Sequence, residues 1–480
     1  MAVATAERSL PRRRTLTLVA TILGSGMTFV DGTVVNIALP TLGRDLHAGL
    51  ASLQWVVLGY SLAVAALYLP AGAIGDRFGR RQMFSIGVAG FAVASVAAGL
   101  SPDLPALLAS RVAQGVAGAL LTTNSLALLR ATFGADSGRA VGLWTAWTGI
   151  AAMIGPAIGG ALVEYASWRW VFFINIPAAA VALTAARAGR CHEEDARAGR
   201  PVDAAGALLT GLTLIALTYG LVEAGRQGSS GTIVALALGA AVVLAVCLVL
   251  VERRRPYPLV PGELLRERVF VVANLETFLV YAGLGGATFV LALYLQSGAV
   301  GFTPFAASLV FIPISVIMFF LAGYFGRRAD KDGPRRYLTA GPVLMAAGML
   351  LWMIIDRHSV LQVLPGVIVF SLGLAVTVAP ITSTALKAAP DTLAGIAAGF
   401  NTTVSRVGGL IAIPLAGAAA SAVFANHVAN PGGNPFKQHL AAVAHSASTD
   451  AFRAAMILMA ALCLAGAATA LVGLRGGVRD

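Results

Sequence analysis

The sequence predicts an all-α polytopic membrane protein with 14 transmembrane helices, built as two six-helix halves plus a two-helix insertion between them. Of its 480 residues, 58% are apolar and only 12% are charged, whereas soluble domains carry about 25% charged residues. Apolar runs long enough to cross a membrane recur along the whole chain, and two short motifs occur twice at nearly the same offset. This composition weighs strongly against a soluble enzyme or a nucleic-acid-binding protein.

A transmembrane helix needs about 20 predominantly apolar residues to cross a hydrocarbon core about 30 Å thick. Marking each such run between polar breaks gives 14 spans, of which six form the first half, two the insertion and six the second half. The predicted spans are 15–40, 52–74, 82–101, 105–130, 140–163 and 170–187, then 203–222 and 232–251, and finally 269–296, 304–326, 337–355, 360–386, 393–424 and 452–474.

The basic residues predict the orientation, because cytoplasmic loops of membrane proteins are enriched in Lys and Arg. With both termini placed inside, 26 of the 34 Lys and Arg residues fall in cytoplasmic segments and six fall outside. The remaining two, Arg111 and Arg406, lie within spans. We therefore expect a multi-pass protein of the bacterial inner membrane (cell membrane) with cytoplasmic termini, and the net charge of +12 reflects this topology.

Two motifs recur between the halves, as is common in transporters built from duplicated units. The loop after the second span contains Gly72, Asp76, Arg77, Gly79, Arg80 and Arg81, and the loop after the tenth contains Gly326, Asp330, Lys331, Gly333, Pro334, Arg335 and Arg336. A second pattern, Gly-x-Ala-x-Gly, begins at Gly138 and again at Gly395. The predicted organisation is a first half at 1–190, linkers and two inserted helices at 191–267, and a second half at 268–480.

The first loop resembles a motif of the major facilitator superfamily, and the chain is similar to the fourteen-helix drug:proton antiporter branch of that superfamily. The resemblance implies the major facilitator fold and a multidrug efflux transporter. In the family this loop is a conformational latch, which here would comprise Gly72, Asp76, Arg77, Gly79, Arg80 and Arg81, with Asp330 and Arg335 in the second half. Simple positive-inside anchoring would explain the arginines but not the acid with its flanking glycines.

The fourth span contains Leu107, Arg111, Gln114, Gly115 and Gly118. This pattern resembles a family motif whose intramembrane Arg is linked to proton movement. A guanidinium in lipid costs at least about 2.5 kcal/mol, so Arg111 should face the bundle interior and a partner. A purely structural ion pair is the alternative reading.

The fifth span contains Gly149, Gly155, Pro156, Gly159 and Gly160. Glycines four residues apart let a neighbouring helix approach closely, and a proline bends the helix. Together these residues are similar to the motif that marks antiporter-type exporters, and this resemblance is the main reason to expect efflux. The resemblance is dense over the first 180 residues and thinner afterwards, where Pro334 stands in place of Arg80.

The principal acids inside the predicted spans are Asp31 and Glu276. Burial disfavours the charged form of a carboxyl, so such groups can bind and release protons, and the predicted mechanism is alternating access with competition between proton and substrate at Asp31. Arg111 would tune the proton affinity of Asp31 or stabilise a carboxylate, and Arg406 is a candidate partner of Glu276. Glu276 could equally be a helix-end residue paired with Arg266 or Arg268.

A transporter's substrate cavity is expected near the midplane between the halves, mostly apolar with a few polar groups. Aromatic rings there could stack on flat or cationic ligands, although each is also a candidate for packing or for an interface belt. The candidate residues are Asn36, Gln54, Trp55, Tyr60, Asn124, Trp144, Trp147, Tyr281, Tyr294, Gln296 and Asn401. His427, His439 and His445 match no common metal spacing, so no metal and no cofactor are expected.

These features predict a proton-coupled secondary active exporter of lipophilic, cationic drugs or secondary metabolites, with an exporter of a lipid or of one specific metabolite as the alternative. No Walker A sequence, HExxH motif or nucleophile elbow is present, so an enzyme is not expected. The predicted partners are a small-molecule substrate, protons and membrane lipid, without nucleic acid, and the protein is predicted to be a monomer.

Overall fold

The computed structural model describes residues 2–189, 204–226, 228–255, 261–355, 359–390, 393–427, 434–437 and 443–474, and this part of the chain contains helices and no strand. Fourteen helical segments within it are long and apolar enough to cross a membrane. The predicted all-α polytopic fold is therefore confirmed. The starts of 13 predicted spans lie within three residues of the observed ones.

The first half contains seven helices that form six spans. They are α1 (Ala2–Asp45), α2 (Leu50–Phe78), α3 (Arg80–Gly99), α4 (Leu104–Phe133), α5 (Ser137–Tyr165), α6 (Trp170–Phe173) and α7 (Asn175–Ala188). The short α6 and α7 together make the single span Trp170–Ala188. Asp103 caps α4 by accepting a hydrogen bond from the Ala106 amide at 2.9 Å, which satisfies one of the free N–H groups of the first turn.

The insertion and the second half contain the remaining helices. They are α8 (Ala204–Ala224), α9 (Gly231–Arg253), α10 (Gly262–Arg266), α11 (Arg268–Leu295), α12 (Pro304–Leu309), α13 (Ile312–Asp332), α14 (Arg335–Leu351), α15 (Val360–Lys387), α16 (Ala394–His427) and α17 (Val443–Gly473). Gly79 ends α2 with φ of 95°, and Gly333 ends α13 with φ of 85°. Both repeats of the loop motif thus turn on a backbone conformation that glycine adopts without strain.

The last span differs most from its prediction. We expected it to begin at 452, but α17 begins at Val443. The added residues include His445, Ser446, Ser448 and Asp450. They are helical, but their polar side chains give no hydropathy signal for a span. Part of the segment between the last two predicted spans is therefore helix, and His439 lies outside the described residues.

The chain packs as two compact units. The first unit comprises Met1–Ala38 and Trp55–Gly211, and the second comprises Leu39–Gln54 and Leu212–Asp480. The division into 1–190, 191–267 and 268–480 remains a prediction. Each unit contains helices that approach closely at glycines, which leave room for a neighbouring backbone: a Cβ on Gly87 of α3 would lie 2.6 Å from the Leu121 amide of α4.

Candidate functional site

A buried ion pair joins the first and fourth spans within the first unit. Arg111 of α4 donates from Nη1 to the Oδ2 atom of Asp31 on α1 at 2.6 Å, and the two side chains are 1% and 0% exposed. Asp31 and Arg111 were predicted as intramembrane charges, with Arg111 acting on Asp31 or on another carboxylate, and the structure brings the two side chains into direct contact. Each charge is therefore compensated by the other, as a charge inside a membrane requires.

Three uncharged polar residues complete this network. Gln114, one turn after Arg111, accepts from Arg111 Nη1 at 2.7 Å and donates to Asp31 Oδ1 at 3.0 Å. It also donates to Ser95 Oγ of α3 at 2.8 Å. Asn175 of α7 lies 3.5 Å from Asp31 Oδ1 and 3.4 Å from Ser95 Oγ, with its amide as the donor. The network thus joins α1, α3, α4 and α7, and two of these helices, α4 and α7, donate to the carboxylate.

Arg111 also has partners that do not depend on Asp31. Its Nε donates to the Val56 carbonyl of α2 at 3.1 Å. Its guanidinium carbon lies 4.6 Å from the centre of the Tyr60 ring and 5.8 Å from that of Phe172, within the range of cation–π attraction. The guanidinium therefore keeps several favourable contacts if the carboxylate loses its charge.

The glycines of α5 pack against α1 next to Asp31. A Cβ on Gly159 would lie 2.8 Å from Val34 Cγ1, and one on Gly155 would meet Thr33 Oγ1. Pro156 and Gly160 are also buried. Gly149, in contrast, has no neighbouring atom within 4 Å of such a Cβ. Gly155 and Gly159 of the predicted antiporter helix motif thus pack against the helix that carries Asp31, whereas Gly149 does not.

The second candidate acid has a different environment. Glu276 of α11 is 0% exposed, and neither carboxyl oxygen has a hydrogen-bond partner among the described residues. It therefore bonds neither to Arg406, which is partly buried on α16, nor to Arg266 or Arg268. Arg268 donates instead to the Val472 carbonyl at 3.2 Å.

Asn401 lies near this acid but has other partners. Its amide donates to Asn274 Oδ1 at 3.1 Å and to Thr277 Oγ1 at 3.0 Å. All three residues are buried. They join α16 to α11, so Asn401 contributes to the contact between these helices.

The latch residues form matching contacts in the two halves. Arg81 donates to the carbonyls of Ala186 and Arg187 at the end of α7, at 2.9 and 3.3 Å. Arg335 donates to the Leu471 carbonyl at the end of α17, at 3.1 Å. Each arginine thus caps the last spanning helix of its half, where carbonyls lack helical partners and a cation is favoured.

The acids of the two latches are paired differently. Asp76 pairs with Arg80 of α3 at 2.8 Å. Asp330 pairs with Lys387 of α15 at 2.7 Å and accepts from Ser383 Oγ at 2.9 Å. Of the remaining latch residues, Gly72 and Arg77 lie in the C-terminal part of α2, and Gly79 lies in the turn that follows it. The basic partner of Asp330 was not predicted, because it is distant in sequence and outside the motif.

Several predicted substrate residues of the first unit have internal partners. The amide of Asn124 donates to the carbonyls of Ala71 and Leu120 at 3.1 and 2.8 Å, and the indole of Trp144 donates to the Thr21 carbonyl at 3.3 Å. Tyr60 stacks on Arg111 as described. Asn36 and Trp55 are half-buried, and Trp147 is 54% exposed. Trp147 is therefore the most accessible of these candidates.

In the second unit the predicted substrate residues lie mainly in packed regions. Tyr294 is fully buried, donates to the Ile355 carbonyl at 2.8 Å and stacks on Phe452 with ring centres 4.0 Å apart. Gln54 donates to the Ile413 carbonyl of α16 at 2.9 Å. Gln296 is 1% exposed, and Tyr281 is half-buried. A role of these residues in substrate binding remains a prediction.

Ser95 and Asn175 are site residues that sequence reasoning did not select. Both are buried polar residues within spans, and that property is the signal that could have identified them. Within the described residues, no group of three or more His, Cys, Asp or Glu side chains is close enough to hold a metal ion.

A helical membrane protein with an ion pair buried among four spans has the features of a membrane transporter. The chain belongs to the Major Facilitator Superfamily, because the sequence profile of that family matches residues 21–413. It is therefore a multi-pass membrane transporter and not an enzyme, and its fold is the major facilitator fold.

Known proteins agree with this assignment. The chain is 31% identical over 439 residues to the multidrug resistance protein Stp of Mycobacterium tuberculosis, covering 90% of this chain and 81% of that protein. It is 35% identical over 404 residues to the tetracenomycin C resistance and export protein of Streptomyces glaucescens, covering 84% and 75%. The crystal structure of a bacterial homologue of the human lysosomal transporter Spinster superposes with a TM-score of 0.67 at 18% identity, covering 96% and 97%, and shares the fold.

Proposed function

We propose that this chain is a proton-coupled antiporter that exports lipophilic, cationic drugs or secondary metabolites by alternating access. It would act as a monomer in the bacterial inner membrane, with both termini in the cytoplasm. The buried pair of Asp31 and Arg111 is the observation that carries the proposal. The names of the relatives, which are resistance and export proteins, support the drug class and the outward direction.

The network supports a role for Asp31 as a carboxylate that either accepts hydrogen bonds from its neighbours or binds a proton. Asp31 is enclosed, and its oxygens accept from Arg111, Gln114 and Asn175. These donors stabilise the charged carboxylate. A proton that binds to Asp31 removes the charge and weakens each of these contacts, so the energy of the network depends directly on the protonation of one side chain.

Arg111 makes such a switch reversible. After protonation of Asp31 its guanidinium would keep the Val56 carbonyl, the Gln114 amide and the Tyr60 ring. A cation left with none of these contacts would be very costly inside the membrane. The arrangement thus limits the cost of breaking the ion pair while leaving Asp31 as the group that responds to protons.

In the proposed cycle, a proton and a cationic substrate bind in alternation. Asp31 takes up a proton when the carrier is open to the outside, and substrate leaves. When the carrier is open to the cytoplasm, Asp31 loses its proton and the restored negative charge favours the next cation. The latch residues, including Asp76 and Arg81, would stabilise the cytoplasmic side during part of this cycle.

Efflux of ethidium by proteoliposomes with an imposed proton gradient tests the proposal. Wild type is compared with Asp31→Asn, and with Asp136→Asn as a matched control because Asp136 is a solvent-exposed acid paired with Arg14. We expect wild type and D136N to move the dye against its gradient and D31N to lose gradient-driven movement. Equal gradient-driven transport by D31N would overturn the role of Asp31.

An exporter dedicated to one metabolite is a second candidate, favoured by the relative that is named for a single antibiotic. The same vesicles separate the two functions by competition. Several chemically unrelated lipophilic cations would slow ethidium efflux by a multidrug exporter. A dedicated exporter would not transport ethidium at all. Loss of a lipid from the cell envelope on deletion would instead indicate a lipid exporter.

A further inference from the structure

We propose that Glu276 is a second proton-binding site, which carries a proton in the conformation described here while Asp31 is charged. The inference rests on the proposed antiport and deepens it, because it adds a second proton to each transport cycle. It comes from the contrast between two buried acids, one paired with an arginine and the other with no hydrogen-bond partner in the described part of the chain.

Glu276 is buried where α11 packs against α17. It lies on α11, 0% exposed, and both of its oxygens are buried. A Cβ placed on Gly466 of α17 would lie 3.7 Å from Glu276 Cγ and 3.3 Å from Val280 Cγ2. Gly466 of α17 therefore lies within van der Waals range of the glutamate side chain.

No charged group of the adjacent helices compensates Glu276 within the described chain. On α11 itself, Arg268 donates to the Val472 carbonyl. On α17, Cys463 faces Gly283, two turns from Glu276, and Arg453 bonds to the Met353 carbonyl and to Asp450.

The other helices packed against α11 also provide no charged partner for Glu276 among the described residues. On α15, Lys387 pairs with Asp330. On α16, Arg406 makes no hydrogen bond to either oxygen of Glu276, and His427 bonds to the Val423 carbonyl at the far end of the helix. On α10, Glu263 and Arg266 are exposed.

An uncompensated carboxylate at such a place is far more costly than a neutral acid. Burying an isolated charge without a hydrogen bond or a counter-ion is so unfavourable that the group takes up a proton instead. Asp31 has the opposite surroundings, with a guanidinium and two amides as donors. The two carboxyls therefore differ in protonation within one conformation.

Fold stability does not explain the presence of Glu276. A buried acid without a hydrogen bond contributes less than an apolar side chain of similar size, and ionisable residues inside membrane spans mark proton or substrate pathways. A carboxyl that is neutral here becomes charged when a conformational change brings water or a cation to it. Glu276 would then release its proton at a step of the cycle different from that of Asp31.

The second proton changes the charge that moves in each cycle. Exchange of one monovalent cation for one proton moves no net charge, whereas exchange for two protons moves one charge inward. A membrane potential then acts on the exchange directly, and 100 mV changes the limiting accumulation ratio about 40-fold.

Infrared difference spectroscopy tests the protonation state without any substrate. We expect wild type at neutral pH to show the C=O stretching band of a protonated carboxyl that is absent from Glu276→Gln and retained in Glu263→Gln, an exposed acid on α10. A wild-type spectrum without a band assignable to Glu276 would overturn the inference, whether or not the protein transports a drug.

Ethidium accumulation under a potassium diffusion potential, with no pH gradient, tests the coupling. Wild type and E263Q should respond to the potential, and E276Q should lose the response while retaining ethidium counterflow, which requires no proton. Three results would each contradict the second-proton role. They are an unchanged response to the potential in E276Q, no response in a wild type that transports ethidium, and loss of counterflow in E276Q. Absence of ethidium transport by wild type would count against the proposed function, and the infrared spectrum would still decide the protonation of Glu276.

Discussion

Arg111 and Asp31 form an ion pair of 2.6 Å in which neither side chain has appreciable contact with solvent. Removing one partner of a buried pair leaves an uncompensated charge, whereas removing both does not. The pair is therefore sensitive to single substitutions in a way that exposed pairs of this chain, such as Arg14 with Asp136, are not.

Asp31→Asn should lower stability as well as transport. Single deletions in buried pairs cost about 3–5 kcal/mol, and we expect the lower end because Arg111 keeps the Val56 carbonyl and the Tyr60 ring. Thermal unfolding in detergent measures the loss. The double variant Asp31→Asn, Arg111→Gln should be more stable than D31N, and a double variant that is less stable would show that the pair is not the source of the effect.

Arg111→Lys should impair transport although it preserves the charge. A lysine cannot reproduce donation from both Nε and Nη1 to Val56, Asp31 and Gln114, since its ammonium is a single point charge. Losing one or two hydrogen bonds of about 1 kcal/mol each corresponds to roughly a tenfold decrease in gradient-driven efflux. Wild-type rates in R111K would show that charge alone is sufficient at this position.

Two glycines of α5 should respond differently to the same change. Gly159→Ala places a methyl group against Val34, and overpacking of this kind costs about 1–3 kcal/mol. Gly149→Ala meets no atom within 4 Å and gains up to about 1 kcal/mol of helix propensity. Thermal unfolding of both variants checks the difference, and equal effects would contradict the proposed packing of α5 on α1.

Gln54 and Gly417 should behave as a coupled pair. The Gln54 amide occupies the place of a side chain at Gly417 and donates to the Ile413 carbonyl. Gly417→Ala should therefore cost about 1–3 kcal/mol, whereas adding it to Gln54→Ala should cost almost nothing more. Unfolding of the two single variants and the double variant measures the coupling. Gly239→Ala, at an uncrowded helical glycine, is the control, and additive effects would exclude the contact.

Lys387→Ala should have little effect on stability despite the short distance to Asp330. The two side chains are 63% and 41% exposed, and exposed pairs are worth at most about 1 kcal/mol. The difference in unfolding temperature from wild type should shrink further in 1 M salt, because salt screens exposed charges. A loss comparable with that of D31N would mean that the Asp330 pair is shielded from water.

The sequence predicted the spans well because the bilayer imposes one length on each of them. Its least accurate boundary was at α17, where the residues that precede the membrane are polar and give no hydropathy signal although they are helical. Helix formation outside the membrane depends on local propensity and packing, which an apolar count does not record.

The site could be predicted residue by residue but not as a set of contacts. An aspartate and an arginine inside spans each imply a partner, yet only the packing of α1 against α4 brings Asp31 to Arg111. Ser95 and Asn175 escaped selection because neutral polar residues are common within helices. The surroundings of Glu276 were equally inaccessible, since a partner can be excluded only when every neighbouring helix is in place.

The two latch loops have diverged in an informative way. Asp76 takes its basic partner, Arg80, from the next helix in sequence. Asp330 instead pairs with Lys387, at the end of α15, and Pro334 occupies the position equivalent to Arg80. Both loops thus contain an acid in a salt bridge, and the base comes from a different place in the chain in each. A search of this chain for a repeated spacing of aspartate and arginine would therefore find the first ion pair and miss the second, although both loops neutralise their acid.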